Sequence, residues 1–116
     1  MFENFPPSIK IGPFDIAIVI KDKIDDENGN KDSSWGAYTH GVMIELCAGQ
    51  QNNRTFALDT VMHEVSHGVY RCAGLDATSG EESIVTAMST GWLMVLKDNP
   101  ALLQWMVDSL KKNLVA

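Results

Sequence analysis

Apolar and polar residues alternate at short range through the first half of the chain and fall at helical spacing through the second. Residues 1–13 form a proline-punctuated lead-in. From Phe14 the β-branched run Ile16-Ala17-Ile18-Val19-Ile20 predicts a strand covered on both faces. Residues 21–34 are polar and hold Asp25, Asp26, Asn28, Gly29 and Asn30, the composition of a turn or flexible loop. Two further strands follow over residues 35–40 and 41–47. In the second, Val42, Ile44 and Leu46 alternate with Met43, Glu45 and Cys47, the two-residue period of a half-buried strand. A hairpin turning near His40-Gly41 joins them, and residues 48–53 make a polar loop.

The period then changes. Leu58, Met62, Val65, Val69 and Cys72 form one apolar stripe on a helix spanning about residues 54–73. Asn52 or Asn53 can cap its start, and Gly74 suits a left-handed residue just past its end. A second helix is expected over residues 80–97. A third starts at Asn99-Pro100, with asparagine as cap and proline at the first helical position, and runs to about Asn113. Three strands followed by three helices make an α+β domain.

Composition narrows the reading. A chain of 116 residues, 45% of them hydrophobic, holds one core and one domain. The net charge of −6 repels a phosphate backbone, and no basic stripe offsets it, so nucleic acid is excluded as a partner. No apolar run approaches the ~20 residues that cross a bilayer. Without a secretory leader, Cys47 and Cys72 read as reduced thiols of a cytoplasmic protein. The acidic loop fails as a calcium site: with Gly29 at the sixth position of an EF-hand, Ile24 falls at the first and cannot ligate.

The chemistry is concentrated in His63-Glu64-Val65-Ser66-His67 on the first helix. His63 and His67, four residues apart, leave the same helical face, and their imidazole nitrogens can share one Zn²⁺. Glu64 is rotated by about 100° from His63, so its carboxylate can reach a water on the ion without becoming a ligand. That places Glu64 as general base for hydrolysis, with zinc lowering the pKa of the attacking water.

A catalytic zinc site calls for a third protein ligand. Asp76, Glu81 and Glu82 are the downstream candidates. Asp76 sits among turn-forming residues. Glu82 leads, because the line through Val85 and Ser89, beside Met88 and Trp92, is expected to face inward; Glu81 follows closely, with Ile84, Val85 and Met88 along its own line. Ser79 with Glu82, or Thr78 with Glu81, would equally make a capping box. Tyr70, a turn past His67, could donate to a tetrahedral oxyanion or simply pack, and His40 could orient substrate or stand exposed. Trp92 and Trp105 read as core or helix-contact aromatics.

The segments Asp59-Thr60-Val61-Met62-His63-Glu64-Val65-Ser66-His67, Glu81-Glu82-Ser83-Ile84-Val85 and Val95-Leu96-Lys97-Asp98-Asn99-Pro100 resemble the compact phage and bacterial metallopeptidases related to the ImmA/IrrE group, within the gluzincin-like enzymes. The resemblance implies a minimal zincin-like fold, with a small antiparallel sheet packed on the motif helix and two further C-terminal helices. It implies His63 and His67 as zinc ligands, Glu64 as base and an acidic residue of the next helix as third ligand. It also implies that the strand beside the cleft, here residues 41–47, holds an extended peptide by main-chain pairing. The longer metzincin pattern is absent, since Tyr70 stands where its glycine would be. The expected activity is therefore zinc-dependent peptide hydrolysis in the cytoplasm, a host's cytoplasm if the chain is phage-encoded. The alternative is a metal-binding regulatory or interaction module that cuts nothing.

Overall fold

The computed structural model describes residues 2–24, 35–49 and 54–115. Four strands, β1 (Ser8–Ile11), β2 (Phe14–Lys21), β3 (Gly36–Thr39) and β4 (Met43–Cys47), precede three helices, α1 (Arg54–Cys72), α2 (Glu81–Asp98) and α3 (Pro100–Val115). The α+β class, the hairpin turn before β4 and the three helices agree with the sequence pattern. The anticipated caps at Asn52 or Asn53, and most of the acidic loop, lie outside the described residues.

The sheet departs from expectation in three ways. Its order is β1-β2-β4-β3, with β1 antiparallel to β2, β3 antiparallel to β4, and β2 parallel to β4. It is therefore mixed rather than antiparallel. The chain between Lys21 and Met43 is long enough for the crossover that a parallel pair demands. The lead-in also contains a strand, β1. Ile9 and Ile11 point into the core from it, while Ser8 and Lys10 face out. Gly12, at φ +56, then reverses the chain into β2. Finally, β2 is covered on one face only. Ile16 is buried, but Ala17 is exposed and Ile20 is 44% exposed at the strand end.

Ile9, Ile11, Ile16, Ile44 and Leu46 meet Ala57, Leu58, Val61, Val65 and Val69 of α1 in one core, joined by Val95 of α2 and by Leu102 and Trp105 of α3. Met62, anticipated in this stripe, is instead 42% exposed; the buried line runs through Val61. Gly91 lets α2 lie directly on α1, since a Cβ there would stand 2.3 Å from Val69 Cγ1. Trp92 Nε1 donates to Ser66 Oγ at 3.1 Å beside that crossing. Gly74 takes the left-handed conformation expected after α1, at φ +71.

Asn99 does more than cap. Its carbonyl accepts from Leu103 N as α3 begins, but its side chain turns to β1. Oδ1 accepts from Lys10 N at 2.8 Å, and Nδ2 donates to Lys10 O at 2.8 Å and to Val95 O at 2.7 Å. The outer edge of β1 is thus closed by one side-chain amide. No helix among the described residues is long and apolar enough to cross a membrane. Cys47 and Cys72 are both free thiols.

Candidate metal centre

Helix α1 rests its apolar line on the sheet, so residues rotated away from Val61 and Val65 emerge at its flank. His63 and His67 are exposed there, and their Nε2 atoms lie 3.1 Å apart. Two nitrogens bound at ~2.0–2.1 Å to one tetrahedral zinc stand about 3.3–3.4 Å from each other. The pair therefore fits a shared ion with a shift of a few tenths of an ångström. The two imidazoles and the Glu64 carboxylate place ligand-capable atoms within 4.8 Å of one another.

Glu64 is the buried member, only 5% exposed. Its neighbour across the interface is Gly36, at the start of β3. A Cβ at position 36 would stand 3.0 Å from Glu64 Oε2, 3.1 Å from Glu64 Cγ and 2.9 Å from Thr60 Cγ2. The absent side chain is what lets the strand backbone close over the carboxylate. Burial pushes the Glu64 carboxyl above the usual range, and the nearby His63 offsets this in part. His67 is shifted the other way: desolvation, then His63 and Arg71, hold its imidazole below the ordinary histidine value. The lowered value favours neutral imidazole at His67, the form that ligates a metal.

A cleft of about 280 Å³ opens beside His63 and Glu64, with Trp35, Gly36, Asp59 and Thr60 completing its lining. Trp35, Gly36, Asp59 and Thr60 were not singled out by sequence reasoning. Only the glycine inside a strand carried a signal, that of close backbone approach.

The other sequence candidates lie apart from the group. Glu81 and Glu82 do not join His63, Glu64 and His67 among the described residues. The inward face of α2 carries Met88, Gly91, Trp92 and Val95, whereas Val85 and Ser89 are exposed, so the Glu82 line looks outward rather than inward. Glu82 lines a separate depression with Ala73 and Leu75. At 1.5 Å per residue, Ala73 is about 9 Å along the helix axis beyond His67. The capping box is also unformed: Gly80 is the N-cap of α2, with no side-chain bond. Ser79 Oγ accepts from Asp76 N at 3.0 Å instead. Asp76 is a turn former, its carboxylate accepting from Thr78 N at 2.8 Å and Thr78 Oγ1 at 2.6 Å. Those bonds hold its carboxyl below the usual range.

His40 sits on the β3–β4 turn, with Nδ1 2.8 Å from Tyr38 Oη and its ring edge-on to Phe14 at 5.3 Å. Tyr38, missed by sequence reasoning, lies against Gly68 next to His67, where a Cβ would meet its Cε1 at 3.2 Å. Tyr70 is half-buried near the end of α1.

The strand anticipated to hold a peptide, residues 41–47, is an inner strand with β2 on one side and β3 on the other, so both its edges are used. Among the described residues the outer strand beside the cleft is β3. No family model matches the chain, and no curated protein or solved structure matches it either.

Proposed function

We propose that this chain is a zinc-dependent peptidase in which His63 and His67 hold the ion and Glu64 is the general base. The observation that carries the reading is the pair of imidazole nitrogens 3.1 Å apart on one helical face, with a buried carboxylate beside them. A purely structural metal site has no use for a carboxylate whose ionisation is opposed by burial. General bases, in contrast, work best with a pKa raised toward neutrality.

Zinc bound between the imidazoles would act as a Lewis acid, polarising the peptide carbonyl and lowering the pKa of the attacking water to about 7. Glu64 takes the proton of that water at a carboxylate oxygen and passes it to the departing amine. Gly36 and Thr60 hold the carboxylate in place and keep bulk water from its inner side. The outer edge of β3 offers backbone groups to an extended peptide, aligning it along α1. This corrects the strand while keeping the mode of binding. The motif segment and the Glu81–Val85 and Val95–Pro100 segments support a relation to the ImmA/IrrE group.

A second reading has its own observation. No third protein ligand joins the two histidines among the described residues, apart from Glu64 itself. That favours a metal-binding regulatory or interaction module, with weaker metal retention than a three-ligand site. Hydrolysis separates the two. Zinc-loaded wild type should cleave members of a mixed peptide library, and Glu64→Gln should lose about 10²–10⁴-fold in rate while keeping its zinc. Full activity in Glu64→Gln would remove the base assignment, and zinc binding without cleavage by wild type would favour the module.

A further inference from the structure

Helix α3 buries two polar groups that the fold leaves unmatched. Trp105 Nε1 and Ser109 Oγ have no hydrogen-bond partner among the described residues. Trp105 is 4% exposed and Ser109 is wholly enclosed. Buried N–H and O–H groups are nearly always paired, because leaving them bare forfeits their hydration without return. The two residues are one turn apart on a single face of α3, and both border the same cavity of about 170 Å³. Phe2 stacks on the Trp105 ring at 5.8 Å, and Phe5 meets it at 5.0 Å and 78°, so the indole is fixed where it lies.

Charged side chains complete the lining. Arg54, at the start of α1, supplies a guanidinium, and Glu3 and Asp108 supply two carboxylates. Arg54 Nη2 stands 3.8 Å from Glu3 Oε2, beyond hydrogen-bond reach, so its N–H groups can still donate. Asp108 Oδ1 accepts from Gln104 Nε2 at 2.9 Å, which leaves its other oxygen able to accept. The buried donors call for a ligand oxygen. An anion alone would meet two carboxylates against one guanidinium. A cation alone has nothing to offer the indole N–H, which only donates. A zwitterion answers both, its carboxylate taking the buried donors with Arg54 and its ammonium facing Asp108.

We infer that this cavity binds a small free α-amino acid, with its carboxylate inward on Trp105 Nε1 and Ser109 Oγ and its ammonium outward on Asp108. The volume suits the ligand: a cavity of ~150 Å³ takes up benzene, which has as many heavy atoms as alanine. The site is built from α3, the lead-in and the first residue of α1, and it uses none of the zinc-binding residues. It therefore stands whether or not the chain cuts peptides.

The test follows the indole N–H resonance of Trp105 in isotope-labelled, full-length protein, assigned by its loss in Trp105→Phe. L-alanine is titrated beside propionate and ethylammonium, which are the same molecule lacking the ammonium or the carboxylate. L-alanine should shift the resonance saturably, and each fragment should bind at least about tenfold more weakly. Ser109→Ala and Arg54→Gln should each weaken L-alanine binding by about 10–150-fold, the loss of one hydrogen bond to a charged group. A resonance unmoved by L-alanine and by each of the other small amino acids overturns the proposal and leaves the cavity to water. Equal binding of L-alanine and propionate overturns the role given to Asp108. Unchanged L-alanine affinity in Ser109→Ala overturns the placement of the carboxylate.

Discussion

Replacing Gly36 by alanine tests the link between fold and site. The added Cβ would sit 2.9 Å from Thr60 Cγ2, 3.0 Å from Glu64 Oε2 and 3.1 Å from Glu64 Cγ. Comfortable carbon contacts are about 3.5–4.0 Å, so each is short by roughly half an ångström or more. Thr60 cannot easily yield, because its hydroxyl donates to Phe56 O at 3.0 Å within α1. Glu64 or the strand must move instead. Overpacking of this size costs about 1–3 kcal/mol, which for a domain of this length lowers Tm by roughly 3–15 °C. Displacement of the base by up to ~1 Å should reduce kcat as much as 100-fold. Zinc affinity should change little, since neither histidine is touched. Gly80→Ala is the control, because nothing lies within 4 Å of the Cβ it adds. Circular-dichroism melting, peptide cleavage and zinc titration on the three proteins provide the readouts. A Gly36→Ala protein that melts and cleaves like wild type would refute the close approach of β3 to Glu64.

Three further substitutions probe other contacts of the fold. Asn99→Ala removes the side-chain bonds to Lys10 and Val95, and should cost about 2 kcal/mol in urea unfolding; an unchanged midpoint would mean that β1 is held by other means. In metal-free protein, Glu64 has a folded pKa above its unfolded one, so its contribution is present at acid pH and lost as pH rises through the folded value. Glu64→Gln should therefore be more stable than wild type at pH 7, with the gap closing below the ordinary carboxylate range. His67 works in the opposite sense, its lowered pKa giving stability above the ordinary histidine value that is lost as pH falls through the folded one. Metal-free His67→Gln should accordingly show a shallower loss of stability on acidification, as read from urea midpoints across pH 4–8.

The helices and the His-Glu-His group were legible because they depend on local spacing. Residues three and four apart share a helical face whatever surrounds them. Strand β1 was hidden by its brevity between Pro7 and Gly12, and its pairing with Asn99 joins residues far apart in sequence. The parallel register of β2 and β4 depends on where the crossover goes, which alternation does not encode. The inward face of α2 turned on Gly91 meeting Val69, a contact between two helices rather than a property of one. For that reason Glu82 looked inward on the sequence pattern and lies outward in the fold. The covering of Glu64 likewise depends on Gly36, whose place in a strand signals a close approach but not that Thr60 and Glu64 of α1 are what approaches.

Zinc K-edge absorption on the protein loaded with one equivalent of Zn²⁺ reads the metal environment directly. The expected spectrum contains two imidazole nitrogens at about 2.0–2.1 Å with oxygen completing the shell, and His63→Ala and His67→Ala should each remove one imidazole contribution. A spectrum without imidazole scattering, or one indifferent to both substitutions, would contradict a shared ion between these side chains.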